Sequence, residues 1–229
     1  QLPKPVGRRG ITYFDENIYV GTSNGTYQIS ADIDEIKNKY GSALSFLSPI
    51  VVKDDLFVAN YVEGLTKYKI SSGEVMWHQK LSDTCGLARI WSGFSYDKLS
   101  DKLFISTGNS GALNDNEPGN CFANSIIALN SSDGSISWSF QELERDLWDL
   151  DMVSNPKVTE VVHQGKKLRV VVGLSKTGAV FLIDVEFGKL LNGTDKVERS
   201  FKVKSAGKGM YVEDLAFRRE DIKSTDIEN

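Results

Sequence analysis

The sequence is poor in the residues on which disulfide frameworks and metal clusters depend. Among its 229 residues there are only two cysteines and two histidines. Cys85 and Cys121 are too few for a disulfide scaffold and lack the spacing of a zinc site, so they either pair with each other or stay apart as small apolar side chains. The sequence has no CxxCH motif, which excludes a c-type haem attachment site in this segment.

Long apolar runs and an excess of basic residues are also missing. No stretch approaches the roughly 18 consecutive apolar residues of a transmembrane helix, so no membrane span is expected. The 27 basic and 31 acidic residues give a formal net charge of −4 at pH 7, which argues against a nucleic-acid partner. Hydrophobic residues make up 40% of the chain, a value typical of a folded globular domain.

The two ends of the chain differ from its middle. The first residues, QLPKPVGRRG, include neither an initiator methionine nor an apolar signal core, so we expect the chain to begin after a processing site or part-way through a longer protein. Charged residues cluster from about Val197 onward. We therefore divide the chain into a folded domain at 1–196 and a charged, poorly defined segment at 197–229.

Short runs of β-branched and aromatic residues, separated by turn residues, dominate the sequence. Runs such as NIYVG, DLFVAN, KLFISTG and LRVVVGL predict strands. Helical periodicity is weak and favours a helix only at residues 31–40 and in the charged tail. The sequence therefore predicts an all-β fold.

The strands recur as a unit in which one strand leads through a turn into the next. In four copies, the residues that precede the turn align as Gln28, Lys69, Asn130 and Asp184. Two copies share Gly-x-x-x-Trp, from Gly73 to Trp77 and from Gly134 to Trp138. A period of roughly 40 to 60 residues with about four strands per unit favours a β-propeller over a sandwich. We expect the two tryptophans to pack one blade against the next.

Three segments together resemble a known family. They are ARIWSGFSYDKLSDKLFISTGN, FANSIIALNSSDGSISWSFQELERDLWDLD and GKKLRVVVGLSKTGAVFLIDVEFGKLL, which are similar to the pyrroloquinoline-quinone (PQQ) dependent alcohol and membrane-type glucose dehydrogenases. The resemblance runs from about Arg8 to Asn192. It implies an eight-bladed propeller with the cofactor on its axis, of which about four to five blades would be present here.

The resemblance implies that three residues hold PQQ, a flat quinone with three carboxylates. Trp91 matches the indole that stacks under the quinone ring, and Lys176, in SKTG, matches the basic residue that contacts the quinone oxygens. Arg9 matches an arginine that reaches both the cofactor and the catalytic carboxylate. Taken singly, the tryptophan would be better explained as a core aromatic and the two cations as solvated surface charges, so the assignment depends on the order and spacing of the motifs.

The resemblance also implies a Ca²⁺ ion beside the quinone. Asn109, in FISTGN, matches an asparagine whose side-chain oxygen binds the ion, although Gly-Asn pairs are also common in ordinary turns. A second ligand would come from the loop FVANYVEGLTKY, which is shorter than in the alcohol dehydrogenases. Asn60, by resemblance to the glucose dehydrogenases, and Glu63, by its charge, are the two candidates.

Asp149, in DLWDLD, matches the catalytic carboxylate of the family. A carboxylate beside the quinone carbonyl can accept the proton of the substrate hydroxyl while the carbinol hydrogen leaves as hydride. Asp146 and Asp151 flank it, and three acids in six residues are also typical of a solvated turn; Trp148 between them favours a packed loop. Arg145 stands where the family often has histidine.

One family feature is missing. Pro3 and Lys4 stand where the alcohol dehydrogenases have a vicinal Cys-Cys ring above the cofactor. The glucose dehydrogenases also lack this ring, so its absence bears on the substrate class more than on cofactor binding.

The implied function is oxidation of an alcohol or sugar hydroxyl by hydride transfer to PQQ, with electrons passed to a quinone or cytochrome, in the periplasm. Two alternatives stay open. A non-catalytic propeller would use the same repeat as an interaction scaffold, but it has no reason to keep Trp91, Asn109, Asp149 and Lys176 together. A truncated, inactive relic would retain these motifs without activity. For the enzyme, a longer chain or a partner would have to complete the ring.

Overall fold

The structure is a computed structural model that describes residues 9–82, 87–110, 122–143, 146, 149–163 and 165–192, and the backbone of 200–206 and 209–216. The described residues form strands and no helix. In this part of the chain, accordingly, nothing helical is long and apolar enough to cross a bilayer. Several residues discussed above lie outside the described residues. They are the two cysteines Cys85 and Cys121, Arg145 at the family's histidine position, Trp148 in the acidic loop, and Pro3 and Lys4 at the position of the Cys-Cys ring.

The strands form antiparallel sheets, each built from strands that are consecutive in sequence. Sheet 1 consists of β1 (Thr12–Phe14), β2 (Asn17–Thr22), β3 (Gly25–Ser30) and β4 (Ile36–Tyr40). Sheet 2 consists of β5 (Ile50–Val52), β6 (Asp55–Asn60), β7 (Gly64–Lys69) and β8 (Val75–Gln79). Sheet 3 consists of β9 (Gly93–Asp97), β10 (Lys102–Ser106), β11 (Ser125–Asn130) and β12 (Ile136–Gln141). Sheet 4 consists of β13 (Lys157–His163), β14 (Lys166–Leu174) and β15 (Val180–Asp184). A separate two-stranded sheet consists of β16 (Ser200–Ala206) and β17 (Gly209–Ala216).

Each hydrophobic core lies between two successive sheets. Tyr19 of sheet 1 shares a core with Leu56 and Val58 of sheet 2. A second core joins sheet 2 to sheet 3, and a third joins sheet 3 to sheet 4. The four sheets therefore stack face to face in sequence order, as propeller blades do, and the all-β prediction is confirmed.

The two inner strands of sheet 3, β10 and β11, are mostly apolar because both of their faces are covered by a neighbouring sheet. In β10, Leu103 and Ile105 lie in the core shared with sheet 2, whereas Phe104 between them lies in the core shared with sheet 4. In β11, Ile127 and Ala128 divide in the same way. Because successive side chains of a strand point to opposite faces, the inner strands of a blade with neighbours on both sides are buried on both faces.

Tryptophan side chains join neighbouring sheets at the end where the turns between the third and fourth strands lie, which we call the turn end. Trp77 Nε1, in sheet 2, donates to the carbonyl of Ser131 in sheet 3 at 3.1 Å. Trp138 Nε1, in sheet 3, donates to the carbonyl of Val185 in sheet 4 at 2.9 Å. Equivalent residues thus make the same hydrogen bond at two successive junctions.

Each of these indoles packs on a glycine of the next turn. A Cβ atom added to Gly134 would lie 2.6 Å from the Trp77 ring, and one added to Gly188 would lie 2.6 Å from the Trp138 ring. Trp138 is 8% exposed and Trp77 is half-buried. The predicted packing of blade on blade by these residues is therefore observed, with the deeper burial at the junction of sheets 3 and 4.

The junction of sheets 1 and 2 uses different residues for the same purpose. Asn38 occupies the register position of the two tryptophans, opposite Gln28 in β3, and a Cβ on Gly73 would lie 3.3 Å from its amide nitrogen. The carbonyl of Ile70, equivalent to those that accept from the indoles, is reached instead by the Tyr40 hydroxyl at 3.4 Å. A phenol two residues along the strand thus replaces an indole.

The sequence alignment of the repeat was wrong at its first copy. The N–H of Ser30 donates to the carbonyl five residues on, as do those of Lys69, Asn130 and Asp184. Ser30, not Gln28, is therefore the residue before the turn. The first turn differs in sequence because it contains no glycine; its left-handed residue is Ile33, with φ of 65°.

The predicted helices are also wrong. Within residues 31–40, β4 runs antiparallel to β3 and pairs Thr26 with Tyr40. Lys37 and Lys39 are exposed, whereas Asn38 and Tyr40 are more buried, which is the period of two expected of an outer strand. In the charged tail, the backbones of β16 and β17 pair as an antiparallel hairpin.

Candidate functional site

The predicted site residues gather at the opposite end of sheets 3 and 4, which we call the site end. Trp91 precedes β9 and Asn109 follows β10, and these two strands pair so that Gly93 lies opposite Ser106. Lys176 follows β14 in the adjacent sheet. Antiparallel pairing therefore brings residues far apart in sequence to one edge of the blades.

The ammonium group of Lys176 lies between two carboxylates. Its Nζ atom is 2.6 Å from Asp149 Oδ2 and 2.8 Å from Asp151 Oδ2. Burial alone would lower the pKa of this lysine, but its hydrogen bonds to the two carboxylates and their negative charges outweigh burial and raise its pKa above the ordinary 10.5. Lys176 is therefore a firmly charged cation at neutral pH.

The two carboxylates differ in accessibility. The Asp151 side chain is 7% exposed and accepts a hydrogen bond from the backbone N–H of Asn109 at 2.5 Å, so it belongs to the framework of the site. The Asp149 side chain is 69% exposed and its backbone is left-handed, with φ of 61°. A non-glycine residue in this conformation is held there by its surroundings. Asp149 is thus the carboxylate that an incoming molecule can reach.

Asn109 contacts the accessible carboxylate directly. Its Nδ2 atom donates to Asp149 Oδ1 at 2.8 Å. The predicted metal-binding asparagine and the predicted base therefore lie side by side, 40 residues apart in sequence.

Trp91 provides an aromatic surface beside this group. The guanidinium carbon of Arg9 lies 4.6 Å from the centre of the indole, and Lys176 Nζ lies 5.4 Å from it. Gly108 lets the backbone approach the ring: an added Cβ there would lie 2.4 Å from Trp91 Nε1 and 2.7 Å from Asp151 Oδ1. A side chain at residue 108 would therefore disturb the indole.

Two carboxylates that support the site, those of Asp146 and Glu142, were not identified in this role from the sequence. Asp146 Oδ2 accepts from the side chain of Asn124 and from the backbone N–H of Leu150, both within 2.8 Å. Glu142 Oε1 accepts from the hydroxyls that flank Lys176. Neither contact has a local sequence signal, because the donors lie 22 or more residues away or depend on a loop conformation.

The proposed second metal ligand lies elsewhere in its own sheet. Asn60, at the end of β6, is buried and donates from Nδ2 to Thr66 Oγ1 at 3.2 Å. Within the residues that the structure describes, no hydrogen bond or ion pair joins Asn60 or Glu63 to the group around Lys176. In the same range there is no cluster of three or more histidine, cysteine, aspartate or glutamate side chains suited to a metal ion. The metal assignment for Asn60 stays a prediction.

The structure thus brings five of the predicted residues into one group: Arg9, Trp91, Asn109, Asp149 and Lys176. We call this group the Trp91 cluster. The roles of its members in binding and chemistry remain predictions.

Comparison with known proteins identifies the family. The family model of the PQQ-type glucose/ethanol/alcohol dehydrogenase β-propeller domain matches residues 70–200, more than half of the chain. The chain is 25% identical over 198 residues to quinoprotein glucose dehydrogenase of Escherichia coli, covering 76% of this chain and 24% of that protein. It is 31% identical over 149 residues to quinoprotein alcohol dehydrogenase PedH of Pseudomonas putida, covering 62% of this chain and 25% of that protein.

Solved structures agree on the fold. The quinohemoprotein alcohol dehydrogenase ADHIIG of Pseudomonas putida superposes with a TM-score of 0.72 at 22% identity, over 84% of this chain and 35% of that chain. The quinohemoprotein alcohol dehydrogenase of Comamonas testosteroni gives the same TM-score at 19% identity, over 87% and 37%. The present chain spans about a quarter of the length of the two curated relatives named above. It belongs to the PQQ-dependent glucose and alcohol dehydrogenase β-propeller family.

Proposed function

We propose that this chain forms part of the active site of a PQQ-dependent dehydrogenase that oxidises an alcohol or sugar hydroxyl. The observation that carries the proposal is the position of Lys176, which contacts Asp149 and Asp151 and also lies over Trp91. A cation, an accessible carboxylate and an aromatic surface are the groups needed to bind an anionic quinone and remove a proton beside it.

The Trp91 cluster fits the shape and charge of PQQ. A planar cation, the Arg9 guanidinium, lies over the indole, which supports the view that a flat ring can be accommodated there. Arg9 and Lys176 supply positive charge for carboxylates and quinone oxygens. When bound, PQQ supplies the acceptor for the hydride; the protein residues bind it, orient it and handle the proton.

Asp149 is the group that would accept the substrate proton. Its carboxylate is exposed, and each of its oxygens has a partner, Asn109 or Lys176, that fixes its orientation. Asp151 is nearly buried and is held by a backbone N–H, so it is less suited to meet a substrate. The proton would therefore pass to a side chain whose position is set by Lys176.

The same group fits a Ca²⁺ ion in part. The amide nitrogen and oxygen of asparagine have the same shape, so a half-turn of the Asn109 side chain would put its oxygen 2.8 Å from Asp149 Oδ1. Two oxygens at this spacing can both lie within about 2.4 Å of one Ca²⁺ ion. Because Ca²⁺ takes about six to eight oxygens, PQQ and further protein groups, with Asn60 or Glu63 as candidates, would supply the rest.

A scaffold without chemistry is less well supported. Blade packing at the turn end is achieved with indoles, glycines and backbone carbonyls. None of that packing needs a lysine between two aspartates at the site end. From the resemblance to the family we also expect a small-molecule alcohol or sugar substrate, an electron acceptor that is a quinone or cytochrome, and a periplasmic location.

The proposal is tested by titrating PQQ into metal-stripped protein, with and without added Ca²⁺, and following the quenching of tryptophan fluorescence. We expect saturable quenching that strengthens when Ca²⁺ is added, because the ion links quinone oxygens to Asn109. Equal binding in both conditions would remove the metal role of Asn109, and no binding to an assembly that contains this chain would overturn the proposed function.

A matched pair of lysine variants locates the binding. Lys176→Met removes the cation of the Trp91 cluster and should abolish the quenching. Lys67→Met is the control, because Lys67 also pairs with a carboxylate, Asp55 at 2.9 Å, and lies 5.5 Å from the centre of the Phe57 ring, but in sheet 2. Equal weakening by both variants would contradict a specific role for Lys176.

Dye reduction with a panel of alcohols and aldoses, on the PQQ-loaded protein, then identifies the substrate class.

A further inference from the structure

Lys176 lies in a turn, and the two residues that flank it contact the carboxylate of Glu142 in the adjacent sheet. Ser175 and Thr177, one residue on either side of Lys176, are 5% and 2% exposed. Both hydroxyls lie 2.9 Å from the same atom, Glu142 Oε1. The hydroxyls also contact each other. One carboxylate oxygen thus accepts hydrogen bonds from the residues on both sides of Lys176.

Glu142 reaches this turn from a rigid position. It directly follows β12 of sheet 3, its backbone N–H donates to the carbonyl of Asn124 at 2.9 Å, and it is 9% exposed. The turn in sheet 4 closes through the Gly178 N–H to the carbonyl of Ser175 at 3.0 Å. The contact therefore connects the site ends of two blades.

We infer that Glu142 is a positioning residue: its carboxylate holds Ser175 and Thr177 so that the Lys176 ammonium stays between Asp149 and Asp151. Adjacent side chains in an extended or turn segment point in different directions. When the two flanking hydroxyls are fixed on the buried side, Lys176 is left to extend toward the open side. Two hydrogen bonds to one buried oxygen fix both hydroxyls at once, so the turn is held firmly. The inference rests on the proposed role of Lys176.

The experiment measures the chemical reactivity of Lys176 in the protein without cofactor. An N-hydroxysuccinimide acetylating reagent is applied at one mildly alkaline pH, and the initial rate at each lysine is obtained by mass spectrometry of peptides. The two ion pairs keep Lys176 charged and shielded, so its rate is low. In Glu142→Ala we expect the Lys176 rate to rise on the order of threefold to tenfold, the factor that corresponds to losing one net hydrogen bond. The rates at other lysines should stay unchanged.

Rescue by a conservative variant separates positioning from bulk stability. Glu142→Gln keeps an oxygen that accepts both hydroxyls, so its Lys176 rate should stay near that of the wild type. Glu186→Ala is the matched control, because Glu186 pairs with Lys102 at 2.5 Å at the turn end of the same two sheets. This variant should raise the Lys102 rate and leave Lys176 unchanged.

Two results would overturn the inference: an unchanged Lys176 rate in Glu142→Ala, or an equal rise in Glu142→Gln. If Glu142→Ala raises all lysine rates together because it unfolds, Thr177→Val decides. Valine keeps the volume of threonine and removes one donor, and a selective rise at Lys176 supports the inference, whereas no rise rejects it. Because labelling needs neither PQQ nor a metal ion, failure of PQQ binding would reject the proposed function and leave this result readable.

Discussion

The two ends of sheets 3 and 4 are built on opposite principles. At the turn end, Trp77 and Trp138 make the same hydrogen bond and pack on equivalent glycines, so the arrangement repeats from blade to blade. At the site end, the ion pair between Asp149 and Lys176 has no counterpart in the other sheets, within the residues that the structure describes. The repeated contacts are those that every blade needs for packing, and the unrepeated ones are those available for chemistry. Changes at the turn end should therefore affect stability, and changes at the site end should affect function.

The largest effect is expected from Asp149→Asn. Asparagine keeps the size of the side chain and one acceptor oxygen, which can face either Asn109 or Lys176, but it cannot take up the substrate proton. Turnover of a PQQ-loaded assembly should fall by roughly 10² to 10⁴, the contribution of a positioned base. PQQ binding and the free energy of unfolding should change little. Unchanged turnover would assign the base to another carboxylate, and loss of PQQ binding would mean that the negative charge of Asp149 is needed to hold the metal ion.

Trp138→Ala should cause the largest loss of stability. The indole is buried and bridges sheets 3 and 4, so its removal leaves a cavity and an unpaired carbonyl at Val185. Unfolding by urea should show a loss of about 3 to 5 kcal/mol. Trp77→Ala is the internal comparison and should cost less, because Trp77 is only half-buried. An equal or larger cost at Trp77 would contradict the ranking of the two junctions.

Gly188→Ala should be the next most damaging change. Its φ is 68°, and an added Cβ would lie 2.6 Å from the Trp138 ring. Strain and overlap together should cost roughly 2 to 4 kcal/mol. Gly165→Ala is the matched control, because Gly165 has φ of 73° but nothing within 4 Å of the added atom. The difference between the two variants in urea unfolding isolates the contact with Trp138; equal losses would mean that backbone strain alone is responsible.

The smallest predicted effect is an acid-dependent loss of stability at the turn end. Arg169 of sheet 4 contacts Asp97 of sheet 3 at 2.6 Å. Burial would raise the pKa of Asp97, but hydrogen bonds from Ser100 and Arg169 outweigh it and hold the pKa below the ordinary 3.8. A lowered folded pKa means that the stabilisation is complete above about pH 4 and is lost as the pH falls through the folded value. Urea unfolding of the wild type should lose roughly 1 to 2 kcal/mol across this range.

Asp97→Asn is the control for this pH dependence. It should be less stable than the wild type at neutral pH and should lose less on acidification. If the two proteins lost stability in parallel from pH 5 to pH 3, another carboxylate would be responsible.

The sequence carried most of the fold because strand signals are local. Short apolar runs such as KLFIS predict strands, and the structure has β10 at this position. The Gly-x-x-x-Trp pattern from Gly134 to Trp138 predicts blade packing, and the structure packs Trp138 on the next sheet. The helix prediction at residues 31–40 was wrong because the helical periodicity there is weak. The segment ends in an outer strand, β4, on whose exposed side Lys37 and Lys39 lie. The first copy of the repeat was misaligned because its turn has Ile33 in the left-handed conformation that glycine usually adopts.

By itself the sequence determined the all-β architecture and the family and predicted the candidate site residues, since strand periodicity and short motifs can be read along the chain. Only the tertiary structure decided which residues meet. The pairing of β9 with β10 and the stacking of sheet 3 on sheet 4 bring Trp91, Asn109 and Lys176 together. The replacement of an indole by Tyr40 at the first junction, and the contact of Glu142 with the Lys176 turn, are equally non-local. These contacts join residues 30 or more positions apart. They could not be predicted from the sequence because they depend on how the sheets pack and not on any local preference of the chain.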